Sequence, residues 1–560
     1  MVNLSGAKSL IKCLKLENVE HVFGLPGGAN LPIYDALVDS NIRHILVRHE
    51  QIGAHMADGY ARVLRKPGVC MATSGPGATN LVTGLATAHL DSSPVVAITG
   101  QVPTDYIGKD AFQETDAIGV LIPVTKYCVM PTTAVEVPYC VKKLFHLSNT
   151  GRPGPVLLDM PKDVQQETIE FDYPKKIQLQ GYDALVNPDS RLVNKAANLL
   201  LSAKKPMILA GGGVTICNSF KTLQNLAEFL MAPVVTTFKG KGAFPENHPL
   251  ALGPIGMHGR IESNKMILET DVLLAIGCRF SDRSVGKWDA FGNNMKIIHI
   301  DIDKSEIGKN KKPTVGIHGD LNLTLNKLLP ILMKKSIVKN NPWMARLKSL
   351  KNQYKDTSSY DDDTVNPKSI LKELRKVIPN NTIITTDVGQ HQMWSSLYFD
   401  IYSPGTFFTS TGLGTMGFGF PAALGAKVGK PNLPSICISG DGSFNMVEQA
   451  LATAVLDNIP AIVIILNNGS LGMVAQWQRV FYNKRYLGIN LQNSPDFVKI
   501  AQAYGAEGIR VQSIPEFNKA VKNGLKSEVT TVIDVPIDPE ADVFPFVAPG
   551  TSLADMILPS

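Results

Sequence analysis

Short apolar runs rich in β-formers alternate with longer stretches of helical period along nearly all of this 560-residue chain. In the first third the runs are VEHVFGLPGG, RHILVRHE, VCMATSGPGATN, PVVAITGQ and GPVLLDMP, whose β-rich parts run into Gly, Pro or charge. Helical patterns such as Gln51 to Leu64 fill the gaps, and that alternation predicts an open parallel sheet. The middle of the chain repeats the pattern with PMILAGGGV, APVVTTFKGKGAFP, DVLLAIGCRFSDR and MKIIHIDID. Polar connectors interrupt it twice. One is Tyr173 to Asp189, with its lysines and prolines. The other is Lys334 to Lys368, which holds a KxxK-rich helix and the acidic Tyr360-Asp361-Asp362-Asp363 and reads as mostly solvated chain. The expected fold class is therefore α/β, with three open parallel-sheet domains over 1–170, 190–333 and 367–540 and a C-terminal tail, 541–560, containing DVFPFVAPG. No repeat of fixed short period and no low-complexity segment occurs.

Composition narrows the class of protein without choosing a function. The chain is too long for one core, and 44% hydrophobic with 19% charged residues describes an ordinary globular enzyme. Its +6 balance, from 55 basic against 49 acidic residues, is slight for the length, and no basic run is dense enough to argue for nucleic acid. No apolar stretch could span a bilayer, so no membrane role is expected. The seven cysteines (Cys13, Cys70, Cys128, Cys140, Cys217, Cys278 and Cys437) form no CxxC and no zinc spacing, and most lie in apolar surroundings. They read as reduced core thiols. The first residues already form a helix and then a strand, so a cytoplasmic protein of prokaryotic type is expected.

The string SGDGSFNMVEQALATAVLDNIPAIVIILNNGS carries the most chemistry. Gly440-Asp441-Gly442 follows the strand-like run Ser435 to Ser439, and Asn467-Asn468 closes a second run, Ala461 to Leu466. A helix-like stretch, Asn445 to Leu456, lies between. This is a βαβ unit with both motifs at the carboxyl ends of neighbouring parallel strands. A carboxylate and an amide oxygen side by side suit Mg²⁺, which takes few protein oxygens and leaves its other positions to water and a diphosphate. The glycines allow backbone to approach phosphate oxygens. Alone, GDG or NN marks an ordinary strand-end turn. Paired at this spacing, they resemble the thiamine diphosphate signature.

That cofactor needs a carboxylic acid near its pyrimidine N1′. Glu50, at the end of the strand Arg43 to Arg48 and the start of a helix, is the candidate. On position alone a first-turn glutamate is explained by the helix dipole; beside the metal signature it becomes the acid. An acid in the first block serving a cofactor held in the third implies that the two blocks face each other, normally between subunits, so at least a dimer is expected.

Across its whole length the chain resembles the catalytic subunits of the acetohydroxyacid synthase family, also called acetolactate synthases. The strings that carry the resemblance include GLPGGAN, RHEQIGAHMADGYAR, TSGPGATNLVTG, GQVPTDYIGKDAFQETD, GRPGPVLLDMPKD and GMHG. They continue through GCRFSDR, HIDIDKSEIGKN, DVGQHQMW, STGLGTMGFGFPAALGAK and LNNGSLGMVAQWQ. AFQE, GQHQMW and GMVAQWQ together are narrower than the rest. The resemblance implies pyrimidine-binding, central flavin-binding and diphosphate-binding domains. It implies that pyruvate is decarboxylated on thiamine diphosphate and its two-carbon unit passed to a second pyruvate, giving 2-acetolactate, or to 2-oxobutyrate, giving 2-aceto-2-hydroxybutyrate. This is the first common step of branched-chain amino-acid biosynthesis. A homodimer or homotetramer with active sites at subunit interfaces and a small regulatory subunit are implied as partners. The competing reading is another flavin-containing thiamine diphosphate enzyme such as a pyruvate oxidase.

Position by position, the resemblance implies Glu50 as the N1′ acid, and Asp441, Asn468 and the Ser470 carbonyl as Mg²⁺ ligands. Met416, in GLGTMGFG, would lie beneath the cofactor and hold it bent. Gln390 and His391 would lie near the diphosphate, and Pro76 and Asn80 beside the pyrimidine. Gly414, Gly440, Gly442, Ser443 and Met473 are further cofactor-binding positions. Arg283 could clamp a 2-oxoacid carboxylate, and Trp477 could wall off the extra methyl of 2-oxobutyrate. Phe112, Gln113 and Lys162 would complete the substrate pocket from the neighbouring subunit. For the central block the resemblance supplies FAD in a structural rather than redox role, at Arg152, Gly212, Gly256, Met257, His258, Gly277, Arg279, Asp301 and Asp320. Ser281 stands where the family's RFDDR has an acid, and Lys109 where Thr is commoner. The KGKG of Lys239 to Gly242 also departs from the usual GLG.

Overall fold

The computed structural model describes residues 2–335, 341–355, 365–492 and 494–558. The acidic run Tyr360 to Asp363 lies outside the described residues. Three six-stranded sheets, every strand pair parallel, organise the chain. The first holds β1 (His21–Gly24), β2 (Arg43–Leu46), β3 (Gly68–Ala72), β4 (Val95–Gln101), β5 (Tyr127–Val129) and β6 (Val156–Pro161), in the order β2-β1-β3-β4-β6-β5. The second holds β7 (Pro206–Ala210), β8 (Val234–Thr236), β9 (Ala251–Pro254), β10 (Val272–Ile276), β11 (Lys296–Asp301) and β12 (Val315–His318), in the order β9-β8-β7-β10-β11-β12. The third holds β13 (Ile383–Thr386), β14 (Phe407–Thr409), β15 (Ser435–Gly440), β16 (Ile462–Asn467), β17 (Glu507–Arg510) and β18 (Thr531–Pro536), ordered β14-β13-β15-β16-β18-β17. The first and third sheets thus share one strand order. The middle sheet has the doubly wound order associated with dinucleotides.

These strands are near-continuous apolar runs because helices cover both faces of each sheet. The runs Gly68–Ala72, Val95–Gln101 and Val156–Pro161 are buried at every position. One helix links the first sheet to the third. Glu50–Leu64 starts where the His49 ring accepts from the Gln51 N–H, and it ends at Arg65 in the left-handed region. Its residues Glu50 and Ile52 to Ala61 are all buried, and five of them are Gly or Ala, so another backbone can come close. That backbone is Gly419–Gly429 of the third sheet, and one core runs through both, from Phe23, Ile52 and Met56 to Phe420, Leu424 and Phe444.

The structure refines two expectations. Among its described residues, the connector 334–368 is not solvated throughout. Asn341–Gln353 is a helix whose Trp343, Leu347 and Leu350 enter the core of the middle sheet, with Trp343 Nε1 donating to the Pro206 carbonyl at 2.9 Å. Apolar residues at i, i+4 and i+7 outweigh the surrounding lysines. The helix expected over Asn445 to Leu456 is split, into Asp441–Asn445 and Ala450–Leu456, because the first turn begins at the aspartate itself. In the tail, Phe546–Val547 pairs antiparallel with Met556–Ile557, and Val543 and Phe546 are buried.

Candidate active site

In the third sheet the strand order reverses between β13 and β15, and the crevice outside such a switch point is where open α/β sheets bind ligands. Asp441 directly follows β15, and Asn468 follows its parallel neighbour β16. Their oxygens converge: the Ser470 N–H donates to Asp441 Oδ2 at 3.2 Å and to Asn468 Oδ1 at 3.1 Å. Asp441 is buried, and desolvation pushes its carboxyl up to about 6 against the pull of neighbouring backbone N–H groups. A buried carboxylate with no cationic partner among the described residues, beside an amide oxygen, suits a hard cation. Among the described residues no cluster of three His, Cys, Asp or Glu could hold a metal. A metal here would therefore draw on amide and carbonyl oxygens, as Mg²⁺ does.

The same crevice brings other expected positions together. Gln390 and His391 open the helix Gln390–Tyr398, and a Cβ on Gly440 would lie 2.7 Å from His391 Nδ1. Burial pushes the His391 imidazole down to about 3, so it is neutral, and its Nε2 is buried without a partner. Ser443 Oγ donates to the Val388 carbonyl, and the Met416 methyl lies 3.7 Å from where a Gly442 Cβ would be. Asp387 was not among the expected residues. Its carboxylate accepts from the N–H groups of Gly417 (2.7 Å), Val388 (3.0 Å) and Gly419 (3.2 Å), which shapes the turn carrying Met416. An Asp before Val-Gly gives no signal of this in sequence.

Glu50 belongs to a separate cluster at the switch point of the first sheet. It is buried, accepts from Asn80 Nδ2 at 2.9 Å and lies close over Gly77, next to Pro76. Gly75 sits at φ +57 with the Gln113 backbone against it, which places Gln113 beside the same turn. Phe112 is 89% exposed, and Lys162 is half-buried at the start of the short helix Lys162–Gln166. Among the described residues no hydrogen bond or ion pair joins Glu50, Gln113 or Lys162 to Asp441 or Asn468.

A cavity of about 500 Å³ opens at the switch point of the middle sheet, between β7 and β10. Arg152, Gly212, Met257, His258, Gly277, Arg279, Asp301 and Asp320 all line it. Gly414, Met473, Trp477 and Arg283 line its other end, so the cavity reaches the third sheet. Gly256 does not line it. It stands behind the wall at φ +114, where a Cβ would strike the Arg283 carbonyl. The turns at Gly211–Gly213 and Gly277 touch backbone to backbone, leaving no space for a side chain. His258 Nδ1 is sealed from solvent and unpartnered, and burial pushes that ring down to about 3. Size, an orphaned donor or acceptor and the strand order all fit a dinucleotide such as FAD. Ser281 lines the cavity with its Oγ 3.2 Å from Ser284 Oγ. Lys239 is an unexpected wall residue. It lies 3.6 Å from the buried Asp91, and desolvation pushes its ammonium down to about 8.

At the junction of the two ends, Arg283 Nη1 donates to the Met257 sulfur at 2.8 Å, and its guanidinium lies 5.8 Å from the Trp477 ring. The cation and the flat apolar wall expected for a 2-oxoacid are therefore neighbours. Asp282 is only a loose partner for Arg283, at 3.8 Å with both side chains exposed.

This fold, with its two switch-point clusters, defines a thiamine pyrophosphate enzyme. The family models match in order: the N-terminal TPP binding domain at residues 4–120, the central domain at 193–328 and the C-terminal TPP binding domain at 387–535. The chain is 48% identical to a probable acetolactate synthase large subunit of Methanococcus aeolicus, over 99% of this chain and 95% of that protein. It is 44% identical to the acetolactate synthase large subunit of Corynebacterium glutamicum, over 99% and 90%, and 44% identical to an acetolactate synthase of Arthrospira platensis, over 99% and 98%. The chain belongs to the acetolactate synthase large-subunit family.

Proposed function

We propose that this chain condenses two 2-oxoacids with loss of CO₂, forming 2-acetolactate from pyruvate alone and 2-aceto-2-hydroxybutyrate when 2-oxobutyrate is the acceptor. The observation that carries this reading is the convergence of Asp441 Oδ2 and Asn468 Oδ1 on one N–H at the switch point of the third sheet. Bound thiamine diphosphate supplies a nucleophilic carbon and an electron sink for decarboxylation. Every other task falls to side chains of this protein. Asp441, Asn468 and the Ser470 carbonyl would hold Mg²⁺, which would supply positive charge for the diphosphate. Met416 supports the cofactor on the turn that Asp387 shapes. Glu50, held by Asn80, keeps a proton at the pyrimidine N1′. Arg283 orients the carboxylate of an incoming 2-oxoacid, and Trp477 excludes water beside it.

Glu50 and Asp441 sit in separate clusters of one chain, and Phe112 stands out into solvent. Both features support a site completed by a second copy, with Phe112, Gln113 and Lys162 crossing to it. The middle cavity would hold FAD, which a redox-neutral reaction leaves unreduced. The relatives named as large subunits support a small regulatory partner. Purified protein supplied with thiamine diphosphate, Mg²⁺ and pyruvate should form acetolactate, and adding 2-oxobutyrate should divert product. Pyruvate consumption giving acetate or acetyl phosphate with peroxide would instead indicate an oxidase.

A further inference from the structure

The metal ligand Asn468 is one end of a chain of buried amides that crosses from the third sheet to the C-terminal tail. Asn468 Nδ2 donates to Gln390 Oε1 at 3.2 Å. Gln390 Nε2 donates to Gln476 Oε1 at 3.1 Å and to the Ala541 carbonyl at 2.9 Å. Gln476 then makes a two-way pair with the backbone of Val543: its Nε2 donates to the Val543 carbonyl at 3.0 Å, and its Oε1 accepts from the Val543 N–H at 2.9 Å. All three side chains are buried. Gly472 makes the space, since a Cβ there would lie 2.0 Å from Gln390 Oε1 and 2.4 Å from Asn468 Nδ2.

An amide is directional, with donors on one side and an acceptor on the other. A backbone N–H and C=O cannot exchange roles, so Val543 dictates which way Gln476 faces. Gln476 and the Ala541 carbonyl then dictate Gln390, and Gln390 dictates Asn468. The result is that Asn468 Oδ1, not its NH₂, faces Ser470 and Asp441. A reversed Asn468 would present two protons to the cation.

We infer that Gln476 is a positioning residue for the magnesium site, setting the orientation of Asn468 through Gln390 and tying metal affinity to the seating of residues 541–543. This rests on Asp441 and Asn468 being the Mg²⁺ ligands. Partners behind a ligand commonly change metal affinity about 10–100-fold when removed.

The test is a Mg²⁺ titration of the full-length protein with thiamine diphosphate. It is read by tryptophan fluorescence and by thiamine retained after gel filtration, neither of which needs turnover. Gln476→Leu removes both donor and acceptor and should raise the apparent Mg²⁺ dissociation constant about 10–100-fold. Gln476→Glu still accepts from Gln390 and from the Val543 N–H and, protonated on the oxygen that faces the Val543 carbonyl, keeps that donor too, so it should stay within about threefold, below that ordinary range. Simple loss of packing would rank the two the other way, because a buried carboxylate is costlier than leucine. If Asp441→Ala loses Mg²⁺ while Gln476→Leu binds normally, the relay is wrong and the metal site stands. If Asp441→Ala binds Mg²⁺ normally, the metal assignment itself fails. Should Gln476→Leu not fold, Gln476→Glu decides: affinity near wild type supports the relay, and a loss beyond about tenfold overturns it.

Discussion

Gly425→Ala sets helix propensity against packing. Alanine in the middle of a helix is favoured over glycine by about 1 kcal/mol, so local reasoning expects a stabler protein. In the structure, a Cβ on Gly425 would lie 1.9 Å from the Met56 carbonyl oxygen and 2.6 Å from its carbon. Gly59 meets the Ala422 carbonyl reciprocally, at 2.1 Å. Both obstacles are backbone, so no side chain can rotate away. Restoring ordinary contact near 3.5 Å requires the helices Glu50–Leu64 and Gly419–Gly429 to part by roughly 1 Å or more, and a gap of 0.5–1 Å already forfeits about a quarter to a half of each dispersion contact. Overpacking of this kind costs about 1–3 kcal/mol or more, and the lost contacts with Ile52, Met56, Phe420 and Leu424 add to it. Packing therefore wins, with a net loss of about 1–3 kcal/mol after the propensity gain. The displaced helix begins at Glu50, so the rate should fall even where the variant remains folded. Thermal unfolding and steady-state acetolactate formation at saturating cofactor test this. Gly429→Ala is the control, since the atoms nearest its Cβ belong to the side chains of Val63, Leu64 and Tyr60 rather than to backbone. A higher melting temperature with full activity for Gly425→Ala would refute the argument.

Glu50→Gln should bind thiamine diphosphate normally yet lose about 10²–10⁴-fold in rate, the usual worth of a positioned acid; near-normal turnover with cofactor bound would remove Glu50 from the mechanism. Trp477→Leu should lose up to about 1–3 kcal/mol of preference for 2-oxobutyrate while acetolactate formation survives, and an unaltered product ratio in a mixed-substrate assay would make the indole structural. The flavin should stay oxidised and yellow during steady pyruvate consumption, because carboligation moves no electrons to it; bleaching in step with product would count against this. Mixing Glu50→Gln with Asp441→Ala subunits and letting them reassort should restore about one quarter of wild-type activity, since half the dimers are mixed and each has one intact site. No recovery after proven exchange would place both groups in one chain.

Which features can be read in sequence depends on how local their causes are. Asp441 and Asn468 are legible because strand ends, glycines and spacing lie within one βαβ unit. Asp387 and Gln476 are not, although both sit inside strings that carry the family resemblance. Their roles depend on Gly417 and on Val543, far away in the chain, and no periodicity reports such partners. The buried face of the helix Asn341–Gln353 escapes for the opposite reason. Its signal is local, three apolar residues on one face, but lysines and an acidic neighbour dominate the composition. Gly256 falls within a flavin-binding string, yet its glycine serves the close passage of Arg283 behind the wall. The strand orders, which distinguish the middle sheet from the other two, are beyond any local signal.

The shared strand order of the first and third sheets accounts for the way the proposed catalytic groups are divided. In each sheet a helix follows the second strand in chain order and precedes the third: Glu50–Leu64 after β2, and Gly419–Gly429 after β14. The two helices are thus equivalent elements, and their packing through Gly59 and Gly425 joins two similar halves about an approximate two-fold relation. One half carries an acid at the head of its helix; the other carries Met416 at the corresponding place and the proposed metal ligands beyond it. Each switch point then lacks what the other supplies. Within one chain the helix pair is already used to hold the halves together, which leaves Glu50 among its own neighbours, Asn80 and Gly77, and leaves Phe112 uncovered. A second copy related by a true two-fold can place the acid-bearing switch of one chain over the metal-bearing switch of the other, twice over. That arrangement satisfies both sites at once and needs no new element in the fold.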